Sequence, residues 1–127
     1  QETRRRILVG TFVLSSGYAD AYYRKARAVR ATIQSEFARA FESVDILAVP
    51  TTPSPAFKFG AKADPVAMYA EDIFSVPVNL AGVPAVSVPM GTVLRDGATL
   101  PVGIQFIAPH RAEEMLFAIG SDVEAGV

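Results

Sequence analysis

The sequence has no cysteine, a single histidine and no excess of charge of either sign. Without cysteine there can be neither disulfides nor thiolate catalysis, and the absence suits a reducing compartment. With His110 as the one imidazole, the sequence offers no basis for a zinc site of the usual ligand types. Twelve basic residues against 13 acidic give a formal net charge of −1, so no broad field marks the chain for nucleic acid or an anionic membrane. No window approaches the roughly 18 uninterrupted apolar residues of a membrane-spanning helix, and no signal peptide opens the chain. These absences read as a soluble, cytoplasmic protein with no membrane partner. What is present is 127 residues, half of them hydrophobic, enough for one domain with a core. The chain opens on Gln1 and runs at once into "RRRILVG", as though an element had been cut into. That start reads as a fragment, a single partial domain over 1–127.

From Tyr18 to about Val44, apolar residues at Tyr22, Ala26, Val29, Ile33, Phe37, Phe41 and Val44 recur at steps of three and four, with charged residues between them. The spacing predicts an amphipathic helix. "RRRILVGTFVLSS" predicts another upstream, with Gly17 as the break. "DILAVP" at 45–50 is a short apolar run of the kind a strand covered on both faces shows. Three prolines, Pro50, Pro53 and Pro55, then force a loop. Pro77 and Pro84 bracket a segment too short for a long helix. "PAVSVPMG" predicts a strand, and "MGTVL" and "LPVGIQFIA" two more, joined by a hairpin turn at Asp96-Gly97. Met115, Leu116, Ile119 and Val123 predict a last helix over 111–124. This order argues for an α/β layer arrangement whose few strands are a share of a larger sheet.

Few residues present themselves for chemistry. "SSG" at 15–17 has no preceding strand and no neighbouring histidine, and reads as a helix-ending turn rather than a nucleophile. His110 reads as a solvent-facing loop residue. Consecutive helix positions point about 100° apart, so Arg4, Arg5 and Arg6 cannot all face one ligand and at most one turns inward. "PTTP" at 50–53 offers hydroxyls at a strand end, where α/β sheets often place ligands, or simply a rigid turn. The sharpest question is the acidic pair Glu71 and Asp72, set directly before the apolar run "IFSVPVNLAG". A carboxylate there is either turned to solvent or holding a cationic partner, because burial without one costs several kcal/mol. Spacing leaves both readings of Asp72 open.

The segments "RRRILVGTFVLSSGYADAYYRKARAVR", "PTTPSPAF", "DPVAMYAEDIFSVPVNLAGVPAVSVPMG" and "LPVGIQFIA" together resemble the amidase signature family, in order and over nearly the whole chain. "AGVPAVSVP" and "GIQFI" are shared across that family. "SGYADAYYRKA" and "AMYAEDIFSVPVNLAG" narrow the resemblance to the C-terminal part of the A subunits of aminoacyl-tRNA amidotransferases. The resemblance implies a protein three to four times longer, with a mixed β-sheet flanked by helices, that hydrolyses glutamine. Its ammonia serves a partner subunit, which uses ATP and Mg to convert Glu-tRNA(Gln) or Asp-tRNA(Asn) to the amidated form and makes most of the tRNA contacts. The family's Lys-Ser-Ser triad lies in a portion N-terminal to this one, so the resemblance implies no catalytic residue and no cofactor here, and an inactive isolated chain.

By motif match, the resemblance places on Arg6 the arginine that holds the substrate α-carboxylate, and on Asp72 the acid that holds its α-ammonium. The residue types suit these roles, since a guanidinium grips a carboxylate with two parallel bonds and an acceptor-only carboxylate complements an ammonium. Two alternatives remain at this level, the C-terminal part of a small-molecule amidase of the same family and a non-catalytic interaction module. Stimulation by a partner and charged tRNA separates the first from an amidotransferase subunit. The second should be monodisperse, whereas a severed portion should expose apolar faces and self-associate.

Overall fold

A computed structural model describes residues 2–14, 22–62 and 64–126. The "SSG" turn and the Gly17 break lie outside them. Helix α1 spans Glu2–Val13 and α2 Arg24–Ala40. Strand β1 follows at Leu47–Pro50, then α3 at Pro65–Tyr69, a 3-10 turn over Ala70–Asp72, and α4 at Val76–Ala81. Strands β2, Ala85–Arg95, and β3, Ala98–Ile107, lead to α5, Glu113–Gly126.

The three strands form one antiparallel sheet in the order β1-β3-β2. The turn between β2 and β3 has two central residues, Asp96 at φ 52° and Gly97 at φ 78°. Positive φ at both positions matches the right-handed twist of the flanking strands, as the Asp-Gly pair predicts. Where the sequence suggested two strands, "PAVSVPMG" and "MGTVL", there is one, with its register shifted between Pro89 and Gly91. Pro89 cannot donate to a ladder, and Gly91 at φ 121° takes a conformation that side-chain-bearing residues avoid, so the chain bulges at this point instead of ending. Pro101 is tolerated in β3 because β1 pairs only over Ile104–Ile107, leaving that end of the strand unpaired on one side. Strand β1 alternates half-buried and exposed residues, rather than being covered on both faces, because α5 packs over β2 and β3.

Helix α5 covers one face. Leu116 packs with Val88, Phe106 and Ala108 in the buried core, and Val86, Ile104, Ile119 and Val123 close around them. Gly120 permits the approach, since a Cβ there would stand 3.3 Å from Val88 Cγ1. Gln105, almost fully buried, donates from Nε2 to the Phe74 carbonyl at 3.1 Å and so ties the 65–82 segment to the sheet.

Helix α4 begins with Pro77 in its first turn and ends at Gly82, whose left-handed φ of 77° lets its N–H return to the Val78 carbonyl at 2.9 Å. Two of its last carbonyls are satisfied from α2: Arg30 Nε donates to Leu80 O at 2.8 Å, and Gln34 Nε2 to Ala81 O at 3.2 Å. Polar side chains of α2 therefore dock α4, while Val29 of its apolar stripe stays exposed. The accessible surface totals 9333 Å², against about 6500 Å² for a self-contained monomer of 13.5 kDa. Much of the apolar surface that helix periodicity marks for burial thus has no cover among the described residues.

Candidate functional site

The Glu71–Asp72 question resolves through the geometry of the turn that carries them. A 3-10 turn advances about 120° per residue, so neighbours on it face different ways. Glu71 turns toward the proline-rich loop. Its Oε1 lies 2.6 Å from Lys62 Nζ, and its Oε2 accepts a 2.8 Å bond from Ser54 Oγ. The hydrogen bond from Lys62 and then that from Ser54 hold the Glu71 carboxyl below its ordinary pKa. Lys62 also stands 5.7 Å from the centre of the Phe57 ring, which knits the loop together.

Asp72 is exposed and borders an open hollow of about 520 Å³ lined by Arg6, Tyr69, Ala70, Asp72, Ile73, Val76 and Pro77. Among the described residues, no hydrogen bond or ion pair engages its carboxylate. Arg6 comes from α1, and Asp72 from the turn after α3. Asp64 caps α3 by accepting from the Ala67 N–H at 3.0 Å, and Pro65 stands at its first position, which fixes where the helix starts and hence where Tyr69 and Asp72 fall. Ser75 donates its N–H to the Asp72 carbonyl at 3.1 Å, closing the turn.

Helix α1 reaches this segment through adjacent arginines. Arg5 Nη2 donates to the Tyr69 hydroxyl at 2.7 Å, while the Arg6 guanidinium carbon sits over the Tyr69 ring, 5.7 Å from its centre. The two sequence-level candidates, Arg6 and Asp72, thus share one hollow. An arginine and a carboxylate on the walls of an otherwise mostly apolar cavity can receive a small zwitterion with an uncharged tail.

The "PTTP" hydroxyls are used internally. Thr51 Oγ1 and Ser87 Oγ are 2.6 Å apart, Thr52 Oγ1 donates to the Ser54 carbonyl at 2.8 Å, and Ser54 serves Glu71. They border a second hollow of about 440 Å³ at the end of β1. His110 is exposed, in the turn before α5. Three contributors escaped the sequence reading: Tyr69, the Lys62–Glu71–Ser54 cluster, and Gln105. A signal existed for Gln105, a lone amide inside the apolar run "VGIQFIA".

A layered α/β chain with this hollow belongs to the amidase family, whose sequence model matches residues 1–117. Within that family it is similar to the A subunits of glutamyl-tRNA(Gln) amidotransferase. It is 57% identical over 126 residues to that subunit of Deinococcus radiodurans, covering 98% of this chain and 26% of the relative. To that of Geobacillus stearothermophilus it is 54% identical over 124 residues, covering 97% and 25%. The fold is similar to the crystal structure of the Thermotoga maritima subunit, with a TM-score of 0.71 and 45% identity over 91% of this chain and 25% of that one. The family and the α/β architecture read from the motifs are borne out. The chain spans about a quarter of the length of the curated relatives it matches.

Proposed function

We propose that this chain is the C-terminal quarter of a glutamine-hydrolysing aminoacyl-tRNA amidotransferase subunit, a single partial domain that supplies one wall of the glutamine pocket. The observation that carries the reading is the common hollow of Arg6 and Asp72. In a free α-amino acid the carboxylate and the ammonium leave the same carbon, so a wall that offers a guanidinium and a carboxylate in one cavity meets both. Arg6 takes the carboxylate through its planar fork, and Asp72 takes the ammonium. Glutamine within a peptide lacks both charges, so the pocket selects the free amino acid.

The reacting lysine and serines belong to the portion of the subunit that this chain does not span, and the isolated chain is inactive. ATP and Mg²⁺ serve a partner subunit, which also makes most of the tRNA contact. Charged tRNA as the ammonia acceptor puts the work in the cytoplasm, where translation runs. The surface in excess of a monomer's, with Ile7, Leu8, Phe12 and Phe117 exposed, supports the fragment reading. The isolated chain accordingly self-associates. A sedimentation monomer that binds no hydrophobic dye would count against that part.

The test uses the full-length subunit in its complex, with glutamine or ammonium chloride as nitrogen donor for Glu-tRNA(Gln) or Asp-tRNA(Asn). Asp72→Asn should lose glutamine-dependent amidation and keep the ammonium-dependent reaction. Equal loss with both donors, or none with either, contradicts the reading. A glutaminase activity indifferent to partner and charged tRNA would move the assignment to a small-molecule amidase.

A further inference from the structure

We propose that Tyr69 is a positioning residue that sets the plane and reach of the Arg6 guanidinium, and through it the pocket's preference for a free carboxylate. The proposal rests on the pocket reading above. Helix α1 meets the Tyr69 side chain of the Asp72-bearing segment with Arg5 on its hydroxyl and Arg6 over its ring. The division of labour follows from the helix, since consecutive residues point about 100° apart and a flat ring accepts one cation at its rim and another on its face.

The second contact has a chemical consequence. A guanidinium presents its N–H donors within its own plane, so one that lies flat over the ring face keeps those donors for a carboxylate. Tyr69 can therefore hold Arg6 while the in-plane fork grips a carboxylate. Because the same ring lines the cavity beside Asp72, it also fixes the separation between the two charges a zwitterion must bridge. An arginine on a bare helix would keep its charge yet lose orientation, and the cost would fall on substrates that carry a carboxylate.

The experiment compares glutamine with 4-aminobutanamide, which keeps the amide and the ammonium and lacks the carboxylate. Both are measured in the full-length subunit, the second as substrate or as competitor. Tyr69→Leu should weaken glutamine by roughly two- to fivefold more than it weakens the carboxylate-free amide, the worth of one exposed cation–ring contact. Tyr69→Phe, which keeps the ring, should recover most of the loss. KM and competition constants do not depend on how much of a variant is folded, so partial misfolding does not imitate the effect. Equal weakening of both ligands, or of neither, overturns the proposal. Arg6→Lys separates the two levels. If it leaves the ratio between the ligands unchanged, the pocket reading itself fails; if it shifts the ratio while Tyr69→Leu does not, only the role of Tyr69 fails.

Discussion

Replacing Gln105 should loosen the segment that carries Asp72 without touching the pocket. Gln105 is 8% exposed, and its Nε2 donates to the Phe74 carbonyl at 3.1 Å, two residues past the acid. Gln105→Leu keeps the bulk and removes the donor, leaving a half-buried carbonyl without its partner, at a cost of about 1–3 kcal/mol. Expressed as local opening, that is roughly a 5- to 150-fold rise in hydrogen exchange. The reporters are the amides of Ile73, bonded to Ala70 O at 3.4 Å, and Ser75, bonded to Asp72 O at 3.1 Å. Gln105→Glu should be worse at neutral pH, because it sets a buried carboxylate against a carbonyl oxygen. Burial and the lost donor raise that acid's folded pKa above its ordinary value of about 4.3. Its protonated form can donate to Phe74, so this variant should approach the wild type as pH falls and depart from it as pH rises. Unchanged exchange at Ile73 and Ser75 in both variants, measured in the full-length subunit, would refute the anchoring role.

Three further outcomes are expected. The Glu71 carboxyl is held low by Lys62 and Ser54, so its contribution to stability is present above the ordinary carboxylate pKa and fades as pH falls through the depressed value. The urea midpoints of wild type and Glu71→Gln should therefore differ at pH 7 and converge as pH falls below the ordinary carboxylate range, and a constant gap across that fall contradicts it. Gly97→Val at φ 78° should cost about 1–2 kcal/mol in the hairpin, read as a lower denaturation midpoint. Gly103→Ala would bring a Cβ to 2.9 Å from both Ser87 Oγ and Thr51 Oγ1, forcing apart a hydroxyl pair that is 2.6 Å apart. It should destabilise by about the 0.5–1.5 kcal/mol of one hydrogen bond or more, and Ser87→Ala in the same chain should recover part of that loss.

The features legible in the sequence are those written into local spacing. Asp96-Gly97 announces its turn because few other pairs accept positive φ at both positions, and the last helix declares itself through Leu116, Ile119 and Val123. Arg6 and Asp72 were reachable through motif resemblance; no periodicity links a helix residue to an acid far along the chain. Other features depend on tertiary placement. Glu71 and Asp72 are chemically alike, and only the sense of a 3-10 turn decides which meets Lys62 and which meets the cavity. The bulge between Pro89 and Gly91 hid because proline and glycine in sequence signal an end more often than a kink. The apolar stripe of α2 misleads about burial in this chain, since periodicity states which face wants cover and not where the cover comes from.

The central claim is that Asp72 holds the ammonium of a free amino acid in the hollow it shares with Arg6. Its most direct test is the binding of glutamine against N-acetylglutamine, which keeps the carboxylate and the amide, to the full-length subunit with and without Asp72→Asn. The wild type should prefer free glutamine by roughly 10- to 150-fold, the worth of a charge-assisted hydrogen bond, and Asp72→Asn should erase most of that preference by weakening glutamine alone. An undiminished preference in Asp72→Asn would contradict the account.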